Sequence, residues 1–194
     1  MVYLASASPT RFQLLHRAGV AVLRAKTDFD ETVYQKAIVA LPPIDQALFL
    51  ARGKARSAIN VPPSAMVIGA DQTASIDGEV FHKAATLEMA RQQLLLLRGK
   101  THILTSAVSC HLDGNEVFTH IATAELTMRN FSDEYLEDYL RSAGDDLCNT
   151  VGCYRIEERG LQLFSVVAGD HNTILGLPLL PLLEFLRSAG EIPS

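Results

Sequence analysis

Apolar residues recur along this chain at two spacings, and each change of spacing predicts a new element. Residues 2–5 form a short apolar run, the pattern of a buried strand. Ser8 can cap the helix that follows, with Pro9 at its first position and Phe12, Leu14, Leu15 and Ala18 as an apolar face before Gly19. Residues 20–25 predict a strand and 26–32 a polar connection. A second helix is expected over 44–59, with Asp45 near its start and Pro62 and Pro63 beyond its end. Residues 66–68 begin another strand that ends in Gly69-Ala70-Asp71-Gln72, and the Asp77-Gly78 turn makes 73–80 a hairpin. Thr86 caps a helix over 86–97 that Gly99 stops. Two long strands, 102–111 and 116–128, pair around Asp113-Gly114. Ser132 opens a helix to Arg141, 154–156 and 161–167 predict two more strands, and 179–187 the final helix.

Helices and strands alternate, yet several strand pairs are hairpins. The expected fold class is therefore α/β, with a mixed sheet and helices on its faces. At 194 residues the chain fits a single domain, with room for two lobes and a full core. A content of 48% hydrophobic and 20% charged residues excludes a disordered protein. The net charge of -5 argues against a general nucleic-acid binder. A small polyanion remains admissible, because a few local cations and backbone N–H groups suffice to hold it. The N-terminal stretch lacks the basic and long apolar parts of a signal peptide. The longest apolar run, 174–185, is interrupted by Gly176, Pro178, Pro181 and Glu184, so no membrane span is expected. Cys110, Cys148 and Cys153 have no metal-ligand spacing and suit thiols in a reducing compartment, which makes the cytoplasm the expected location.

Candidate chemistry begins at Leu4-Ala5-Ser6-Ala7-Ser8-Pro9-Thr10-Arg11. A strand runs there into a serine-rich turn and a helix start, where free N–H groups and the helix dipole favour an anion. Two hydroxyls of the turn, Ser8 among them, and Arg11 add donors, and a guanidinium fork suits phosphate oxygens. A simple helix cap with a surface arginine would look the same. Asp30 and Glu31 lie in the polar connection, and Asp71 follows an apolar strand, a position that can hold a divalent ion, orient a water or merely cap a turn. Lys54 in a helix and Lys83 in a loop can neutralise phosphate, although single lysines are usually solvated surface. The six histidines form no zinc-ligand cluster, and neither G-x-S-x-G nor G-x-x-x-x-G-K-[ST] occurs. Residue chemistry alone thus suggests phosphate chemistry with a hard metal.

The order of these segments resembles the Maf family of nucleotide pyrophosphatases, a branch of the inosine-triphosphatase-like fold. The resemblance rests on L-A-S-A-S-P-T-R, Asp30-Glu31, Lys54, G-A-D-Q at 69–72, Lys83, Gly99, His102, G-C-Y-R-I-E at 152–157 and G-D-H-N-T-I-L-G-L-P-L at 169–179. It implies a mixed twisted sheet with flanking helices, two lobes around a central cleft, and often a homodimer. The implied reaction takes a nucleoside triphosphate to its monophosphate and pyrophosphate with a divalent cation (Mg²⁺, Mn²⁺ or Co²⁺). In that reading Asp71 accepts the proton of the attacking water and Glu31 holds the metal or the water. Ser8, Arg11, Lys54 and Lys83 bind phosphates. Thr10, Gln72 and Glu157 occupy three positions linked to base choice, and Gln72 with Glu157 resembles the branch acting on 7-methyl-GTP. Two positions depart from the family pattern: Thr150 stands where a lysine is usual and Ala84 where a proline is usual. The competing expectation is a nucleotide-binding regulator of cell division with little catalytic role. A third is a metal-dependent phosphatase that releases orthophosphate.

Overall fold

A computed structural model describes residues 1–193, apart from the side chains of residues 35–37 and 149. The chain divides into two compact units, 1–72 with 105–123 and 170 onward, and 73–104 with 124–169. In chain order the strands of the main sheet are β1 (Val2–Ala5), β2 (Val22–Arg24), β5 (Met66–Ile76), β6 (Glu79–Phe81), β7 (Thr101–Leu112), β8 (Asn115–Met128) and β9 (Phe164–Ala168). They are hydrogen-bonded in the order β2-β1-β5-β7-β8-β9, with β6 on β5. The pairs β1–β2 and β1–β5 are parallel, while β5–β6 and β8–β9 are antiparallel. A mixed α/β sheet flanked by helices is therefore what the alternating pattern leads to.

In the first unit, alternation along β1 and β5 sends side chains to two faces. Val2, Leu4, Met66, Ile68 and Ala70 point into a core closed by Leu15 of helix α1 (Pro9–Arg17) and by Leu179, Leu182 and Leu186 of helix α7 (Leu179–Ser188). Ala5 and Val67 point the other way, against Ala55 of helix α3 (Pro43–Arg56). That helix presents a stripe of small residues, and its Ala47 and Ala51 meet Ala107 of β7. A short antiparallel pair, β3 (Lys26–Thr27) and β4 (Ala58–Ile59), brackets α3. In the second unit, helix α4 (Leu87–Leu97) buries Ala90, Leu94 and Leu97, an i, i+4, i+7 face, and helix α5 (Asp133–Ala143) buries Leu136, Tyr139 and Leu140. Thr86 and Ser132 cap these two helices through their hydroxyl oxygens, as their sequences predict. No described helix is long and apolar enough to cross a membrane.

Several elements differ from the pattern reading. The connection at 26–32 is not a loop throughout: helix α2 (Glu31–Val39) starts inside it, capped by Asp30, whose Oδ1 accepts the Thr32 N–H at 2.9 Å. Strand β5 does not end at Gly69–Gln72 but continues to Ile76, because Asp71 and Gln72 find partners that let polar residues remain in a buried strand. The second helix ends at Arg56, since Ala58 and Ile59 pair with β3. Residues 154–156 form no strand: Gly152 and Cys153 both have positive φ, which breaks an extended run just before them. Arg159–Leu163 is a 3₁₀ turn, so the last strand begins only at Phe164. A short helix, α6 (His171–Ile174), stands where none was expected, capped by Asp170.

Candidate active site

Strand β1 delivers the chain into Ser6-Ala7-Ser8, and Pro9 starts α1. The Ser8 Oγ accepts the Arg11 N–H at 3.3 Å, so this hydroxyl is a helix cap before it is anything else. Thr10, the second residue of α1, is half-buried. Arg11 turns inward from the first helical turn. Its Nε donates to Gly176 O at 2.8 Å, and its Nη1 to Ala70 O at 2.9 Å and Ser6 Oγ at 3.1 Å. Nη1 also stands 3.7 Å from Asp71 Oδ1. Burial lowers the pKa of the guanidinium, against which the charges of Asp71 and Glu31 act. The fork expected to hold phosphate is thus largely committed to the protein's own carbonyls. It serves as a fixed positive charge beside Asp71.

Asp71 reaches the site because of strand parity. Val67, Gly69 and Asp71 share the face of β5 that meets α3. Gly69 makes the approach close: a Cβ there would lie 2.0 Å from Ala51 O and 2.7 Å from Ala55 N, both backbone atoms of α3. Lys54, one residue before Ala55, is thereby delivered over the strand. Its Nζ lies 2.6 Å from Asp71 Oδ1 and 2.8 Å from Glu31 Oε1. The Lys54 and Asp71 side chains are only 14% and 12% exposed, which protects this pair from solvent screening, whereas Glu31 is 50% exposed. Both cations approach the Oδ1 atom of Asp71.

Glu31 arrives from the first turn of α2. The anchor of that helix is aromatic: Phe29 and Tyr34 stack at 5.2 Å, and Tyr34 meets Phe49 of α3 edge-on at 5.5 Å. Phe29 precedes the cap and Tyr34 is the fourth helical residue, the arrangement of a hydrophobic staple. That staple, with Asp30 between its arms, is a signal for α2 that the pattern of apolar positions did not reveal.

Gln72 lies beside Asp71, on the other face of the strand. Its Nε2 donates to Ser106 Oγ at 3.0 Å and to Thr173 O and Ile174 O at 3.1 Å. The amide donor is spent on holding Ser106 and the α6 carbonyls. Arg11, Glu31, Lys54 and Asp71 are therefore brought together in the first unit, with Ser8 and Gln72 alongside. Pattern reasoning missed Ser106, and it placed Ser6, Gly69 and Gly176 in motifs without their long-range contacts.

Lys83 and Glu157 belong to the second unit. Lys83 is exposed and lines a pocket of about 250 Å³ with Phe81, His82, Met89, Gln92 and Gln93. Glu157 is exposed on an irregular segment, three residues after Tyr154, whose Oη lies 2.7 Å from His102 Nε2. Cys153 Sγ donates to Gln93 Oε1 at 2.9 Å and steadies the same segment. Among the described residues, no group of three or more His, Cys, Asp or Glu side chains is placed to hold a metal.

A family model described as Maf-like protein matches residues 1–189. The chain belongs to the Maf family. A nucleoside triphosphate pyrophosphatase of Rhodospirillum rubrum is 46% identical, the match covering 100% of this chain and 96% of that protein. A 7-methyl-GTP pyrophosphatase of Bartonella henselae is 42% identical, covering 95% and 93%. Another of that description, from Brucella abortus, is 42% identical, covering 95% and 94%. A solved nucleoside-triphosphatase (dITP/XTP pyrophosphatase) of Mycobacterium abscessus aligns with 99% of the chain at 15% identity and a TM-score of 0.39, too distant a likeness to inform the fold. Thr150 donates its hydroxyl to Leu147 O at 2.9 Å, and Ala84 has a backbone N–H, absent from proline, that bonds to the Cys153 thiol.

Proposed function

We propose that this chain hydrolyses nucleoside triphosphates between the α and β phosphorus atoms, giving the monophosphate and pyrophosphate. One observation carries the reading: two carboxylates, Asp71 and Glu31, converge on the ammonium of Lys54 beside a fixed guanidinium, in a chain whose Maf relatives are named for this activity. Water attacks the α phosphorus as Asp71 Oδ2 accepts its proton. The bond to the incoming oxygen forms while the bridging bond to the β phosphorus breaks, and pyrophosphate leaves. Lys54 and Lys83 neutralise phosphate charge, the α1 N-terminus beside Ser8 offers N–H groups, and Arg11 keeps Asp71 in place. The reaction asks for charge neutralisation and in-line positioning more than covalent chemistry.

A divalent cation fits the residues present. Asp71 and Glu31 are hard oxygen donors whose nearest oxygens already share one cationic partner, and Mg²⁺ is commonly held by one or two carboxylates plus substrate phosphates. When bound, such an ion would screen the triphosphate and polarise its P–O bonds. The favoured base is guanine, with 7-methyl-GTP the leading candidate, on the strength of Glu157 and Gln72. A cytoplasmic setting is supported by three free cysteines, and a homodimer by the family resemblance alone.

The test is a panel of ordinary and 7-methylated triphosphates with Mg²⁺, Mn²⁺ and Co²⁺ in ¹⁸O-labelled water. Pyrophosphate should appear, with the label in the monophosphate. Orthophosphate as first product would indicate a different phosphatase, and no turnover at all would favour a nucleotide-binding regulator. Asp71→Asn should lower kcat by on the order of 10²–10⁴-fold with the fold intact, since an amide cannot accept the proton. Retention of more than about a third of the wild-type rate would remove Asp71 from the role of base.

A further inference from the structure

Lys54 occupies an unusual position for a phosphate-binding lysine. Its ammonium is held by the two carboxylates that would hold a metal, at 2.6 Å and 2.8 Å. A Mg²⁺ ion taking the same two oxygens needs each of them at about 2.0–2.1 Å, so it would stand on ground the ammonium fills. The two cations exclude each other by volume and by charge.

The other cation cannot give way. Arg11 is tied to Gly176 O, Ala70 O and Ser6 Oγ. Lys54 has a flexible stem, and its ammonium is bonded to the two carboxylates alone among the described residues. Of the two positive charges, only this one is free to move. With it in place the four groups sum to zero, two cations against two carboxylates, and offer a free dication little attraction. With it withdrawn, Arg11 against Asp71 and Glu31 leaves one net negative charge in a shielded place. A polyphosphate supplies both missing parts, an anion to receive the ammonium and further oxygens for the metal.

We propose that Lys54 is a resident counter-ion that keeps divalent metal out of the nucleotide-free protein, and that metal enters only with a polyphosphate that draws the ammonium away. This rests on the nucleotide reading above, but its central claim concerns the free protein and can be measured without turnover. The probe is Mn²⁺, followed by loss of the free-ion electron paramagnetic resonance signal. Wild type alone should bind Mn²⁺ weakly. Lys54→Met, which keeps the bulk of the stem and removes the charge, should bind one Mn²⁺ at least about tenfold more tightly without nucleotide, equivalent to about 1.4 kcal/mol. Adding Asp71→Asn to that variant should abolish the gain. A wild-type protein given an α,β-methylene triphosphate should take up Mn²⁺ beyond what the analogue binds by itself.

Should Lys54→Met fold poorly, Lys54→Gln takes its place with the same expectation, because its amide can still bond one carboxylate. The proposal is overturned if the wild type already binds one Mn²⁺ as tightly as the variant, or if neither substitution tightens binding. It is also overturned if the analogue binds to the wild type and brings no metal with it. Failure of the pyrophosphatase reading would show separately, as wrong or absent products in the labelled-water assay.

Discussion

His102 is sealed from solvent in the second unit, with its Nε2 bonded to Tyr154 Oη and its ring against Phe164. Burial pushes its pKa from 6.5 down to about 4. The unfolded chain therefore takes up a proton first as pH falls. Stability from this residue is complete above about pH 6.5 and is lost progressively down to about pH 4, a total of about 3 kcal/mol. His102→Gln can still bond Tyr154 but does not titrate. Urea unfolding between pH 7.5 and 4 should show wild type losing about 3 kcal/mol more than this variant, and two parallel curves would refute the assignment. Residue-level reading of the sequence singled out Asp71, Lys54 and Glu31 by their types and order, and the fold brings the two carboxylates to the Lys54 ammonium. It gave Arg11 and Gln72 more freedom than they have. The Nε and Nη1 donors of Arg11 and the amide of Gln72 are engaged with backbone carbonyls at 70, 173, 174 and 176, and such long-range partners leave no trace in local spacing.

At the scale of elements, the site depends on how closely α3 sits on β5. Gly69→Ala places a methyl carbon against Ala51 O and Ala55 N, which are helix backbone and cannot rotate away. The helix must retreat by roughly an ångström, taking Lys54 off Asp71, and a shift of that size can cost on the order of 10²-fold in rate. Overpacking should also cost about 1–3 kcal/mol of stability. The check is kcat beside a thermal melt: an unchanged rate would show that the close seat is not what positions Lys54. Most elements were legible from period and caps, including the helices opened by Ser8, Thr86 and Ser132 and the hairpin at Asp113-Gly114, where both turn residues have positive φ. The failures had physical causes. Polar residues in β5 looked like a strand end because their partners are distant in sequence, and α2 was hidden because its staple of Phe29 and Tyr34 reads as scattered aromatics.

At the scale of the whole molecule, family membership was legible because many weak motifs occur in one order, whereas base choice was not. Relatives of similar identity include both a general nucleoside triphosphate pyrophosphatase and 7-methyl-GTP pyrophosphatases. The candidate residues also divide between the two units, with Gln72 in the first and Glu157 in the second. With the Gln72 amide donor committed, its carbonyl can only accept, and the proposed guanine reading therefore rests mainly on Glu157. Guanine presents N1–H and N2–H₂ side by side, and a carboxylate can accept from both, whereas uracil and thymine flank one N–H with two carbonyls. Methylation at N7 adds positive charge to the purine and strengthens its attraction to a carboxylate. The segment bearing Glu157 is steadied by the Tyr154–His102 and Cys153–Gln93 bonds, so Glu157→Gln should alter the acceptor without disturbing its support. Losing one charged hydrogen bond, worth about 1.5–3 kcal/mol, should lower kcat/KM for 7-methyl-GTP by roughly ten- to hundredfold and narrow its advantage over UTP. Parallel kcat/KM measurements on 7-methyl-GTP, GTP, UTP and dTTP check this. A wild-type preference for UTP or dTTP, or a guanine-to-pyrimidine ratio that Glu157→Gln leaves unchanged, would overturn the base assignment while the α–β cleavage stood on its own test.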